Sequence, residues 1–407
     1  MIDINNIKYE VILVMDNGKN MDITGIIENL DWEENKGELA MRINITMVNT
    51  QFEGTSISSI AKPGCLVAII ANWGEGDIEV ARGTITDWST SSSNSKESFS
   101  ITCYDDLYNL QKSQDNIYYS AGASTKSVIE GILGNWEIPL ATYEGPNETH
   151  AKLVYKSETL SKVLLDILKD AESKGASKCV IRGYKGSVSI FPKGNNKKIY
   201  HFGEDNTIST SNKQSTANLV TRVKVIGKED EEGKSSVEAV LEGKTEFGIR
   251  QRIVINAKDE NLEEAKKTAR EILDEKGDIE KNISIEAPDV PVIRKGDLVH
   301  VTAGTVKGYY YVEGIRHSTS GFMSLDLEYA EQEEMQEDTD TSTSVNFEVG
   351  DTIVLNGAVY IDSYGNGQGQ TLTNHVGTIT IKTDTSRKCP YHVDGIGWVY
   401  PNTITKA

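Results

Sequence analysis

At 407 residues and a formal net charge of −19, the chain has room for about three or four domains. It is too acidic for a surface that grips phosphates with Lys and Arg. A hydrophobic fraction of 38% beside 25% charged residues describes a soluble protein, and no apolar run approaches the roughly 20 residues of a membrane helix. Stable nucleic-acid binding and membrane insertion are therefore not expected.

The opening, Met1-Ile2-Asp3-Ile4-Asn5-Asn6, has neither a basic nor an apolar region, so the expectation is a protein made in the bacterial cytoplasm without a signal peptide. Cys65, Cys103, Cys179 and Cys389 fall without any C-x-x-C spacing. That argues against a zinc site, a redox motif or a disulfide framework, and points to buried thiols.

From Tyr9 to about Tyr104 the pattern is β. Leu39, Met41, Ile43, Ile45 and Met47 alternate with Arg42, Asn44 and Thr46, which a strand explains and a helix does not. Asp16-Asn17-Gly18 supplies a tight turn, and the run Ser89 to Ser95 reads as a loop. The first β-rich domain is assigned to residues 1–112.

An α/β insertion follows at 113–205. Ser124 caps a helix carrying Val128, Ile129, Ile132 and Leu133, and Ser157 is expected to cap a second with Leu160, Val163, Leu164, Ile167 and Leu168, stopped by Gly175. Cys179-Arg182 and Val188-Phe191 form a hairpin around Lys185-Gly186. The β pattern resumes in a domain at 206–330, with strands at Asn218–Gly227 and Phe247–Val254 and a helix over Leu262–Leu273 ending at Gly277.

Within this second region Lys295–Tyr329 echoes Lys62–Tyr104. Lys62-Pro63-Gly64-Cys65-Leu66-Val67 corresponds to Arg294-Lys295-Gly296-Asp297-Leu298-Val299, Gly83-Thr84-Ile85 to Gly314-Ile315-Arg316, and Phe99–Tyr104 to Met323–Tyr329. A β-module written twice is the mark of an assembly part.

Residues 331–345 are acidic and rich in Ser and Thr, with almost nothing to bury, and are expected to be a linker. Beyond it, 346–407 carries five acidic and four basic residues and short apolar strands between glycine-rich turns, the pattern of a small barrel.

Candidate chemistry is sparse. Gly365-Asn366-Gly367-Gln368-Gly369 lacks the Gly-Lys-Ser/Thr of a phosphate loop and precedes a strand, so it reads as a barrel loop. Cys389 with His375 or His392 would need an electropositive setting to make a nucleophile, and a half-buried structural thiol fits better. Glu33/Glu34 and Asp105/Asp106 are adjacent carboxylates of the kind chance supplies among 61 acidic residues. No catalytic, metal or cofactor site is assigned, and the chain is read as no enzyme. Tyr360, Tyr364, Tyr391, Trp398 and Tyr400 form the one ligand or partner candidate: their rings suit sugars and peptides, and they equally suit the core of a barrel of about sixty residues.

In the blocks Asn218–Gly227, Phe247–Arg252, Leu262–Leu273 and Lys295–Val299, and in Asp22–Met47, the sequence resembles the contractile-tail baseplate hub family. These are the late-control-protein-D-like proteins of phages, PBSX-like prophages and R-type bacteriocins. The resemblance covers about the first 330 residues and implies a mainly β fold with an α/β insertion, made of two tube-like β-barrel domains. The last 62 or so residues are similar to SH3-like modules, which adds a C-terminal small barrel. A hub of this kind is a homotrimer whose pseudo-hexameric ring joins the tail tube protein to the central spike protein, beside other baseplate or tape-measure proteins. The alternative is a tail-associated protein that binds or processes the bacterial cell wall through its last barrel.

Overall fold

The computed structural model describes residues 6–74, 76–93, 96–229, 231–256, 262–330, 347–383 and 387–406. The expected linker at 331–345 lies outside the described residues. The chain divides into two units, Met1–Glu331 and Gln332–Ala407.

The first unit opens with β1 (Lys8–Val14), β2 (Asn20–Asp22), β3 (Ile27–Glu34) and β4 (Met41–Val48). A small hairpin, β5 (Gln51–Phe52) and β6 (Thr55–Ser56), leads through α1 (Ile57–Ile60) to the meander β7 (Leu66–Asn72), β8 (Asp77–Ser93) and β9 (Lys96–Tyr104). The strands lie in the order β3-β4-β9-β8-β7-β1-β2, all antiparallel. Alternation decides what faces in: Met41, Ile43, Ile45 and Met47 are buried with Trp32, Val67, Ile69 and Phe99, while Arg42, Asn44 and Thr46 face out. Gly18, at φ +76°, turns the chain between β1 and β2 as its motif predicts.

The Ser/Thr run is not a loop as far as Ser93. Ser89–Ser93 continues β8, pairing with Lys96–Ser100, because hydroxyl side chains tolerate a wet antiparallel ladder when cross-strand partners fix the register. Asn94 and Ser95 lie outside the described residues.

The insertion comprises α2 (Leu107–Lys112), β10 (Gln114–Tyr119), α3 (Thr125–Asn135), β11 (Leu140–Tyr143), β12 (Leu153–Thr159), α4 (Leu160–Ser173), β13 (Cys179–Tyr184) and β14 (Ser187–Pro192). Ser124 caps α3 in a reciprocal box with Ser127, each hydroxyl accepting the other residue's N–H at 3.2 Å. Ser157 is not a cap. It sits at φ +51° inside β12 and donates its N–H to Asn116 Oδ1 at 2.8 Å, and α4 starts three residues later. Strand pairing with β10 has claimed it. The apolar faces of α3 and α4 close on Leu107, Leu110, Ile181, Val188 and Ile190.

The chain returns through β15 (Tyr200–Gly203) and β16 (Ser209–Ser215). It then builds a separate sheet, β17 (Arg222–Glu229), β18 (Ser235–Glu242) and β19 (Gln251–Ile255), covered by α5 (Leu262–Lys276). This sheet has its own small core of Val220, Val223, Val225 and Ala269. Next come β20 (Glu280–Pro288) and a second meander, β21 (Leu298–Ala303), β22 (Val306–Ser318) and β23 (Phe322–Tyr329). These order as β16-β20-β23-β22-β21-β15, around a core with Val299, Val301, Val312, Ile315 and Leu325.

The two meander sheets are one. β22 pairs antiparallel with β3, joining all thirteen strands. The fold is mainly β with an α/β insertion, as the sequence implies. Among the described residues, no helix is long and apolar enough to cross a membrane.

The second unit holds β24 (Thr352–Tyr360), β25 (Gln368–Lys382), β26 (Tyr391–Val393), β27 (Gly397–Val399) and β28 (Ile404–Lys406). Pairing of β24 with β25 closes the path β25-β26-β27-β24 on itself over Ile353, Leu355, Ile379, Val393 and Val399. The glycine run is a turn only through Gly367, ordered by Asp362, whose carboxylate accepts from the N–H groups of Tyr364 and Asn366. Its remainder enters β25.

Candidate functional site

The two meanders share their hydrogen bonds as well as their order. Gly64 N donates to Ile85 O at 3.0 Å and Ile85 N to Cys65 O at 2.8 Å. In the second copy Gly296 N donates to Val312 O at 2.6 Å and Val312 N to Asp297 O at 2.8 Å. A one-residue bulge follows at once in both, between Ile85 and Asp87 and between Val312 and Gly314. Ile85 is thus the counterpart of Val312, and Asp87 of Gly314. The sequence alignment of Gly83 with Gly314 is four residues out, because the β7–β8 hairpin is longer than β21–β22 in its strands as well as in its connection.

The seam between the copies is where their sequences part. In the first copy Lys62-Pro63 opens the repeat on the surface. In the second, Arg294 and Lys295 drive into β3 and the segment after it. Arg294 grips Glu34 at two points, Nη2 to Oε1 at 2.7 Å and Nε to Oε2 at 3.0 Å. Its Nη1 donates to Gly183 O of the insertion at 2.9 Å. Lys295 Nζ donates to the carbonyls of Asn35 (2.9 Å) and Glu38 (2.5 Å). From the insertion, Arg182 donates to Lys295 O and to Asp297 Oδ1, both at 2.6 Å. One four-residue turn therefore ties three parts of the unit together.

Electrostatics follow the geometry. Burial pushes the Glu34 carboxyl up, but Arg294, Arg182 and Lys295 outweigh it and hold the group down to about 2. Glu33 faces the other way and pairs with Arg42, and Asp31 takes Asn44 at 2.9 Å and Arg316 at 3.1 Å. Three acids thus stay buried in one strand because each has its own cation or amide donor. Sequence reasoning passed over Glu33 and Glu34 as chance neighbours. Their only local signal was three carboxylates within four residues, around the apolar Trp32.

Beneath the seam Trp32 stacks on His317, centroids 4.8 Å apart and planes within 14°. His317 Nδ1 lies 2.7 Å from Asp289 Oδ1 and Nε2 lies 3.0 Å from Ile293 O. Tyr9 donates its hydroxyl to the other Asp289 oxygen.

Beside the seam a cleft is lined by Arg82, Tyr104, Asp105, Lys185 and Arg294 among others. Burial pushes Asp105 up to about 7. Its carboxylate accepts from Leu107 N at 3.2 Å and fills the space in which Gly183 could have carried a side chain, so it acts as packing for the insertion.

The aromatic set of the second unit does not form one surface. Tyr391 is 3% exposed and packs edge-on against Phe347 at 5.5 Å, so it belongs to the core and not to a ligand surface. Trp398 lies across from Tyr360 in the ladder, and Tyr400 meets Tyr360 edge to face at 5.1 Å. Tyr364 is well exposed, with Arg387 over its ring at 4.6 Å. Cys389 is buried and its thiol is pushed up by that burial, the opposite of what an attacking thiolate needs. Among the described residues no cluster of His, Cys, Asp and Glu could hold a metal ion.

No curated protein matches this sequence. Among solved structures, a tail protein from Neisseria meningitidis MC58 is similar at 15% identity and a TM-score of 0.54, over 78% of this chain and 96% of that one. The 43 kDa tail protein of prophage MuSo2 from Shewanella oneidensis is similar at 15% identity and a TM-score of 0.57, over 79% and 98%. At that identity the likeness shows a shared fold. The model of a family described as YQBQ-like matches residues 30–328, and the chain belongs to that YQBQ-like family.

Proposed function

We propose that this chain is the structural hub of a contractile-tail baseplate, in a phage or a tail-like bacteriocin. Three copies form a pseudo-hexameric ring between a sixfold tail tube and a threefold spike. The observation that carries the reading is the β22/β3 seam: one chain holds two copies of a meander joined edge to edge in a single sheet. Three such chains offer six similar positions around an axis. Two solved proteins of this fold are tail proteins. The work is done by surfaces, with no chemical step, and the partners are the tube protein, the spike protein and neighbouring baseplate or tape-measure proteins. The division into a first barrel at 1–112, an insertion at 113–205 and a second barrel at 206–330 belongs to this reading. Cryo-electron microscopy of the particle tests it: three copies at the tube-spike junction are expected, and the chain at any other position overturns the assignment.

A second reading concerns the last barrel. Tyr364 under Arg387 and the Tyr360/Tyr400 pair leave ring surface on a unit with its own core, as a cell-wall-binding SH3-like module requires. Retention of the intact protein on purified walls, lost on Tyr364→Ala, supports it. Equal retention of the two proteins removes it.

A further inference from the structure

The seam has two unused counterparts. β22 pairs with β21 through its first half, Val306–Tyr311, and with β3 through its last residues, Ile315–Ser318. In the first copy β8 pairs with β7 only as far as Thr84. Among the described residues, the outer edge of Trp88–Ser92 then pairs with nothing. At the far end of the sheet β16 stands where β3 stands: β3-β4-β9-β8 is matched by β16-β20-β23-β22, and among the described residues β16 pairs only with β20. The sheet thus ends in the same two kinds of edge that it joins internally.

Exposure agrees. Leu30, Asp31, Trp32, Glu33 and Glu34 of β3 are all buried, whereas β16 is mostly exposed along its length. Ile315 is 3% exposed, and its counterpart Trp88, which faces Ile101 as Ile315 faces Leu325, is 46% exposed. A long strand edge without proline and with a single charge, Lys213, is a pairing template that proteins ordinarily blunt.

We propose that β8 of one copy pairs antiparallel with β16 of the next copy of this chain, reproducing the internal seam. Carrying the register across the equivalent ladders gives the partners. Ile315 with Glu34, Arg316 with Glu33, His317 with Trp32 and Ser318 with Asp31 become Trp88 with Gln214, Ser89 with Lys213, Thr90 with Asn212 and Ser91 with Ser211. The contact is head to tail, with different surfaces on each side, so it closes only as a ring or runs on as a filament. The inference rests on the proposed threefold ring and specifies its joint.

The phase of the ladder supplies the test. Thr319 N donates to Leu30 O at 3.2 Å, which makes Arg316/Glu33 a non-hydrogen-bonded pair, the closer kind across an antiparallel ladder. Ser89 and Lys213 inherit that position, within the Cα separation that a disulfide spans. The full chain carrying Cys179→Ser, Ser89→Cys and Lys213→Cys is oxidised mildly at high concentration. It is read by non-reducing electrophoresis, with native mass spectrometry of the same sample before oxidation. Covalent trimers are expected, and far fewer from Thr90→Cys with Lys213→Cys, whose side chains point to opposite faces. Native trimers that fail to cross-link through Ser89→Cys and Lys213→Cys overturn the joint and leave the ring standing. Monomers throughout overturn both, and covalent ladders running past three overturn the closure.

Discussion

Arg294 and Glu34 stand 260 residues apart in sequence and meet in a two-point ion pair, with Glu34 buried and Arg294 largely so. Breaking such a pair from one side leaves an uncompensated charge and costs about 3–5 kcal/mol. Glu34→Gln is expected to destabilise the first unit by that amount in urea unfolding. Glu34→Leu with Arg294→Leu is expected to cost less than the sum of the single leucine variants, because no buried charge is left alone.

Asp105 gives a pH dependence of the opposite sign to Glu34. Its folded value, pushed up to about 7 by burial, lies above that of an unfolded aspartate near 4. The native state therefore holds the extra proton between those values, and stability falls as pH rises from about 4 to about 7. Glu34, held at about 2, contributes stability above an unfolded value near 4.5 that is lost as pH falls toward 2. Asp105→Asn is expected to flatten the upper limb and to gain up to about 4 kcal/mol at pH 8, leaving the acid limb in place. Urea midpoints from pH 3 to 8 check both limbs.

The paired turn glycines separate backbone strain from packing. Gly64 and Gly296 both hold positive φ, +98° and +89°. A Cβ on Gly64 would meet open space, whereas one on Gly296 would come within 2.7 Å of the Val180 side chain. Gly64→Ala is expected to cost about 1–2 kcal/mol of strain. Gly296→Ala should cost about 1–3 kcal/mol more, because Val180 must also be displaced. Unfolding midpoints of the two variants give the difference directly.

How much of this was legible follows from where the information lies along the chain. The alternation from Met41 to Met47, the Ser124 cap and the opening of each repeat are local, and each is found where the sequence puts it, whereas Leu39 lies before β4 and packs in the core of the insertion. The extension of β8 through Ser89–Ser93 was hidden because its partners, Lys96–Ser100, decide it and its own composition suggests a loop. The four-residue slip at Gly83 arose because glycine was matched to glycine, whereas the ladder matches Asp87 to Gly314. Glu33 and Glu34 carried no visible purpose, since the cation that explains Glu34 comes 260 residues later.

The His317 contact separates ring stacking from hydrogen bonding at the seam. Phenylalanine at this position keeps a ring against Trp32 but gives nothing to Asp289, which is 2% exposed, or to Ile293 O. His317→Phe is expected to cost about 3–5 kcal/mol, the range for a buried charge that loses its partner. Adding Asp289→Asn removes the stranded carboxylate and keeps an acceptor for the Tyr9 hydroxyl. The double variant should then be more stable than His317→Phe alone, with a coupling energy of at least about 1 kcal/mol in a double-mutant cycle. If the two substitutions are additive instead, the stack on Trp32 holds His317 in place and the contact with Asp289 contributes little.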